Sequence, residues 1–195
     1  MPETSLDRVT LGERLRALRQ QRGWTLAQLA GRSGLALSTI SKVERGRMLL
    51  AYDKFMQLAH GLGVDVGDLF GAPEQGFDKG GVTVTRAGQA EHHETAEYVY
   101  DMLCTELRGK RMVPMLGRIK AHDVRQFSDI VKHPGEEFVF VLTGELSVHL
   151  EDREPILLRP HDSIYFDSAM KHAYVSAGAE DATIVVVCWQ PGGGG

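Results

Sequence analysis

Residues 71–81, GAPEQGFDKGG, separate two stretches whose apolar residues repeat with different periods. Before them the spacing is helical: Leu11, Leu15 and Leu18, then Leu26, Leu29 and Ala30, then Ile40 and Val43, then Phe55, Leu58, Ala59 and Leu62. Such sets share one face only in a chain coiled at about 3.6 residues per turn. After them, apolar and polar residues alternate in short runs at 82–85, 98–102, 115–119, 137–142, 146–150, 156–158, 163–166, 173–176 and 183–189. Many short period-two runs divided by turn residues fit a sandwich or barrel, not a βαβ fold. The Gly, Pro and charge of 71–81 suit a linker. The chain therefore reads as multidomain α plus β, with a helical domain over 8–70, a linker over 71–81 and a β domain over 82–190.

Local signals place the elements. A first helix over 8–22 stops at Gly23. Thr25 can cap a second, since its hydroxyl accepts from an otherwise unpaired N–H. Gly34 sits where a positive φ is expected, and Gly46 closes the third helix. A fourth runs over 52–62, and Asp65 can cap a short fifth, DVGDLF. In the β half, Thr143-Gly144 and EDREP at 151–155 are expected hairpin turns, and His92-His93 an exposed polar loop. The closing PGGGG has nothing to pack.

The net charge of −4 over 195 residues hides an asymmetry. Residues 1–71 hold ten Lys/Arg and seven Asp/Glu, and within 8–47 nine basic residues face two acidic ones. A basic module on an acidic remainder suits a polyanion partner for the first part only. No apolar run approaches the roughly 20 residues of a membrane helix, and MPETSLDRVT lacks the pattern of a secretory signal. With Cys104 and Cys188 as the only cysteines, buried thiols in a reducing cytoplasm are expected.

LAQLAGRSGLALSTISKVERGR, with Ala30, Gly34, Ile40-Ser41 and Glu44-x-Gly46 in register, resembles the phage-repressor (Xre-type) helix-turn-helix. The resemblance covers about residues 8–70 and implies a five-helix lambda-repressor-like domain. It implies that Arg19 and Glu44 pair to brace the first and third helices, and that the third helix enters the major groove of an operator. Leu37, Ser38, Thr39 and Lys42 would then lie nearest the bases. Lys42 and Arg47 would also serve phosphates, and Thr25 and Gln28 approach the backbone. Such domains bind double-stranded DNA as dimers or higher homo-oligomers. Residue by residue there is a plainer alternative: Ser38 as a helix cap, Arg45 and Arg47 as solvated charges.

HPGEEFVFVLTGEL at 133–146 and PHDSIYFDSAMKHAY at 160–174 resemble the two motifs of cupins, which implies a double-stranded β-helix barrel. The resemblance selects Glu137, seven residues before Gly144, with His133 and His172. Val131 stands where the first motif has its first His, and His161 where the second has Gly. His133 and Glu137, four apart in extended chain, project to one face, with Val139 and Val141 on the Glu137 face toward the interior. Two His and one carboxylate form the facial triad of non-haem iron proteins, and Fe, Zn, Ni or Mn fits the set. The alternative is a hydrogen-bonded cluster without metal.

Two functions are weighed, a regulator as the main reading and an oxygenase as the alternative. An Xre-type domain fused to a cupin implies a transcriptional regulator whose barrel binds a small-molecule effector, with Tyr98, Tyr100, Val131 and Val139 at the pocket. The whole chain also resembles the hydroxypropylphosphonate epoxidases, which implies a mononuclear iron oxygenase using His133, Glu137 and His172. That family's aromatic pair is matched by Tyr98 and Tyr100, and its Val-Pro by Val113-Pro114. Its substrate-contacting Lys, however, falls at Gly23, and its pocket Asn at Ile130. Those losses remove polar groups that a phosphonate needs. Tyr98 and Tyr100 can equally pack a sheet face.

Overall fold

The computed structural model describes residues 8–48, 50, 52–64, 69, 80–107, 109–127, 130 and 132–189. They form two compact units, one helical and one β. The described residues of the helical unit hold four helices: α1 (Arg8–Gln21), α2 (Leu26–Ser33), α3 (Leu37–Glu44) and α4 (Tyr52–Leu62). The expected fifth helix and most of the linker lie outside the described residues, apart from Leu69, which is buried. So does the PGGGG tail.

The core of this unit follows the apolar faces that the spacing marked: Leu11, Leu15 and Leu18 of α1, Leu29 of α2, Ile40 and Val43 of α3, and Phe55, Leu58, Ala59 and Leu62 of α4 are all buried, while Leu26 and Ala30 of α2 are half-buried. Thr25 caps α2 in a reciprocal box. Its hydroxyl accepts from the Gln28 N–H at 3.2 Å, and Gln28 Oε1 accepts from the Thr25 N–H at 2.8 Å, satisfying two N–H groups left open by the first turn. Gly34 ends α2 at φ 72°, and its N–H donates to Ala30 O. α1 and α3 touch backbone to backbone at Gly12, where a Cβ would lie 2.4 Å from the Val43 carbonyl oxygen.

The described residues of the β unit hold nine strands in two antiparallel sheets. They are β1 (Glu91–Glu94), β2 (Tyr98–Met102), β3 (Met112–Ile119), β4 (Glu136–Thr143), β5 (Leu146–Leu150), β6 (Ile156–Leu158), β7 (Ser163–Asp167), β8 (His172–Ser176) and β9 (Ala182–Trp189). Six pair in the order β1-β2-β3-β9-β4-β7, and three in the order β6-β5-β8. Alternation decides what is enclosed. Glu137, Val139 and Val141 of β4 are buried, as are Ala182, Ile184, Val186 and Cys188 of β9. The register sets Glu137 against Cys188 and Val139 against Val186.

Three expectations fail here. Residues 82–85 form no strand, and Val82 and Val84 are 87% and 59% exposed. Their alternation satisfies β propensity, but among the described residues no neighbouring strand supplies a ladder. His92-His93 is not a loop but lies in β1, with His92 paired across to Asp101. His93 is half-buried there, and loss of water pushes its imidazole down to about 4. Thr143-Gly144 is not a hairpin turn, because β4 pairs with β7 and β9 while β5 pairs with β6 and β8. It carries the chain from one sheet to the other; the 151–155 turn does join the β5–β6 hairpin. Gly144 sits at φ 74°, and a Cβ there would lie 2.8 Å from Ala182 Cα. Gly144→Ala is therefore expected to destabilise the β unit by about 2 kcal/mol or more, read as a fall in the urea midpoint.

Candidate functional site

The α3 surface is built by the burial of its other face. Ile40 and Val43 are fully enclosed, so Ser38 and Lys42 are exposed and Leu37 stays 46% exposed. Thr39 is half-buried, and Arg47 is exposed just past the helix. The α3 N-cap is Ala36, with no side-chain bond, so Ser38 lies inside the first turn and is not the cap. Ser41 accepts from Arg45 Nη1 at 2.5 Å. Thr25 and Gln28 remain exposed, but each has an oxygen committed to the α2 capping box, which leaves the Thr25 O–H and the Gln28 NH2 as donors.

An ion pair fixes the posture of α3. Arg19 Nε donates to Glu44 Oε1 at 2.6 Å and Nη2 to Oε2 at 2.8 Å, while Nη1 donates to the Trp24 carbonyl at 2.7 Å. The two side chains are 11% and 6% exposed. A forked guanidinium meeting a carboxylate through two parallel bonds is directional as well as strong. Glu44 raises the Arg19 pKa, partly offset by burial. The Arg32 guanidinium stacks 4.3 Å from the centre of the Trp24 ring. Trp24 carried no signal in the sequence, since its role depends on chain crossings.

The second site lies inside the β unit. His133, just before β4, is 2% exposed, and its backbone N–H donates to Ser168 O at 3.0 Å. Its Nε2 donates to Glu137 Oε1 at 2.6 Å. His172 Nε2 lies 3.2 Å from the same oxygen. The sequence triad thus meets around one carboxylate, with Glu137 2% and His172 6% exposed. His172 Nδ1 donates to Met170 O at 2.8 Å, which presents Nε2 to Glu137. That back-bond to a carbonyl is what orients metal-binding imidazoles. His133 Nδ1 has no partner among the described residues. Buried nitrogen and carboxylate donors converging in this way fit a divalent ion such as Fe, Zn, Ni or Mn. Burial alone would raise the Glu137 pKa; His172 and His133 outweigh it and hold the carboxyl well below the usual range.

Two further groups belong to the cluster, and the sequence reading missed both. The Tyr174 hydroxyl donates to Glu137 Oε2, and burial together with Glu137 raises its pKa well above the ordinary value. Cys188 places its sulfur with His133 and Glu137 so that the three donor atoms lie within 4.8 Å of one another. Strict alternation in β9, ATIVVVCW, was the available signal: it puts Cys188 on the same inner face as Val186. Of the expected pocket residues, Val139 is fully buried beside Glu137. The Tyr98 hydroxyl donates to Tyr174 O at 3.2 Å and accepts from Tyr174 N–H at 3.0 Å. Tyr98 therefore ties β2 to β8, and its ring lies 5.4 Å from that of Tyr100. Val131 lies outside the described residues.

Comparisons with known proteins fall on both units. A helix-turn-helix domain family matches residues 10–70, and a cupin domain family residues 126–188. The HTH-type transcriptional regulator DdrOP3 of Deinococcus deserti is 33% identical over 108 residues, 52% of this chain and 84% of that protein. The (S)-2-hydroxypropylphosphonic acid epoxidase of Streptomyces wedmorensis is 26% identical over 198 residues, 96% of this chain and 99% of the enzyme. Among solved structures, an HTH_3 family transcriptional regulator from Vibrio cholerae aligns with TM-score 0.69 at 18% identity, over 96% of this chain and 98% of that one. The Fe(II) form of HppE aligns with TM-score 0.52 at 25% identity, over 94% and 100%.

Proposed function

We propose, for a chain that belongs to the HTH-type transcriptional regulators, that it binds operator DNA through α3 and answers to an effector bound in its cupin domain. The observation that carries the reading is the α3 surface. Ser38 and Lys42 are exposed with Arg47 beyond them, on a helix whose posture is locked by the Arg19–Glu44 pair. Ser and Thr hydroxyls and a Lys suit base edges and phosphates. Leu37, Thr39, Thr25 and Gln28 complete the proposed interface. A homodimer would set two copies of α3 on half-sites about one helical turn apart. In the working division, residues 8–70 read DNA, 71–81 link, and 82–190 sense. No helix among the described residues is long and apolar enough to cross a membrane, and a regulator of this kind acts where the DNA is, in the cytoplasm.

In the barrel, His133, Glu137 and His172 would hold the metal, and Tyr98, Tyr100, Val139 and Val131 would shape the effector pocket. Regulation requires that the effector bind the DNA-competent and incompetent states unequally. The test is a sequence selection with purified protein at several salt concentrations; weak, sequence-independent binding alone would sink the reading. Lys42→Ala is expected to weaken operator binding by about 1–3 kcal/mol and, for a phosphate contact, to flatten the salt slope by about one ion. An unchanged affinity and slope would mean that α3 does not face DNA.

One observation favours a second reading, an iron oxygenase: the likeness to the epoxidase runs the length of both chains, and two His and a Glu meet in the barrel. Dioxygen consumption by iron-loaded protein with candidate substrates, against a His133→Ala control, separates the two.

A further inference from the structure

We propose that Cys188 is a fourth protein donor to the barrel ion, closing a His133–Glu137–His172–Cys188 site around a thiophilic divalent cation of the zinc class. The inference rests on the metal reading above and adds to it the ligand class and the coordination state. Cys188 is fully buried and stands opposite Glu137 in the β4–β9 register. One donor atom each from His133, Glu137 and Cys188 lie within 4.8 Å of one another, which makes this trio, rather than the sequence triad, the compact group. His172 joins through the same carboxylate oxygen, 3.2 Å from its Nε2. Ligands of one tetrahedral zinc lie roughly 3.3–3.8 Å apart, given Zn–N near 2.0 Å and Zn–S near 2.3 Å. The His133, Glu137 and Cys188 donors, spread over as much as 4.8 Å, would draw together to reach that spacing, with His172 turning in beside them.

The alternative for Cys188 is a small apolar filler, the common role of a buried thiol. Its neighbours argue otherwise. Val139 and Val186 are apolar, but the sulfur shares its space with an imidazole and a carboxylate. It also lies near enough to the Tyr174 hydroxyl to act on it electrostatically. A thiolate selects soft or borderline cations over Mg²⁺, Ca²⁺ and Mn²⁺. Four protein donors also change what the site can do. Structural and sensory zinc sites are closed, whereas catalytic sites keep a position open for water or substrate. With Cys188 in that position the protein itself would supply all four donors of a tetrahedral ion.

The experiment uses the full chain, stripped with a chelator and titrated anaerobically with Co²⁺. The expected result is visible d–d bands together with an intense thiolate-to-cobalt band in the near ultraviolet. Cys188→Ser is expected to lose the near-ultraviolet band and bind Zn²⁺ at least tenfold more weakly, while Cys104→Ser keeps both. X-ray absorption on the zinc-loaded wild type is expected to show one sulfur at about 2.3 Å, which needs no variant to fold. Visible bands without the charge-transfer band, or a scatterer set of nitrogen and oxygen alone, overturns the Cys188 assignment and leaves the triad standing. Failure of the wild type to bind Co²⁺ or Zn²⁺ at all overturns both.

Discussion

Glu44→Ala is expected to destabilise the helical unit by about 3–5 kcal/mol, the loss that follows when one partner of a buried ion pair is removed. The Arg19 guanidinium is 11% exposed and gives two of its three bonds to that carboxylate. Without Glu44 it keeps only the Trp24 carbonyl, and at this part-buried position water replaces the lost acceptors only in part. Operator affinity should fall with stability, since α3 then loses the brace that holds it against α1. Urea unfolding followed by circular dichroism measures the effect. The double replacement Arg19→Leu with Glu44→Leu is expected to recover much of the loss, because the cost lies in the orphaned charge and not in the missing pair. A loss below 1 kcal/mol for Glu44→Ala would show the pair to be screened like a surface contact.

Glu137→Ala is expected to abolish binding of a divalent ion in the barrel and to cost the β unit a similar amount, about 3–5 kcal/mol. This carboxylate accepts from His133 and Tyr174 and lies 3.2 Å from His172 Nε2, so its loss leaves two buried donors without their acceptor and a third buried polar group without its neighbour. Metal content after dialysis and the midpoint of thermal unfolding report the two effects separately. In the metal-free protein, burial pushes the Glu137 carboxyl up, but the two imidazoles hold it below its ordinary value of 4.5. A carboxyl with a depressed folded pKa adds stability above its unfolded pKa and loses it as pH falls toward the folded one. Stability of the β unit should therefore decline steadily below about pH 4.5, and Glu137→Gln should flatten that slope. Saturating metal at 100 times its Kd would add about 2.7 kcal/mol at neutral pH. No shift in the midpoint on adding Zn²⁺ or Fe²⁺ would argue against any barrel ion.

The helical elements were legible from spacing because their rules are local. A capping box needs Thr25 and Gln28 three residues apart, and a left-handed turn needs Gly34; both are written in the chain. Errors in the β half came where a strand depends on its partner. The alternation in 82–85 was real, yet no strand among the described residues pairs with it. The polar EHHE of β1 looked like a loop, and it is a strand because β2 offers it a ladder. The same distinction governs the barrel cluster. Motif spacing marked His133, Glu137 and His172, and the fold brings them to one carboxylate.

By itself, then, the sequence determined where helices start and stop, which faces they bury, and which three residues could share an ion, since periodicity, capping and motif spacing act within a few residues. Only the tertiary structure decided that β4 and β5 belong to different sheets, that the Tyr98 hydroxyl serves β8, and that Tyr174 and Cys188 stand beside Glu137. Those contacts join residues 37 to 76 positions apart. Strand register, which places Cys188 directly across from Glu137, is set by the pairing of whole strands and leaves no mark at either residue alone.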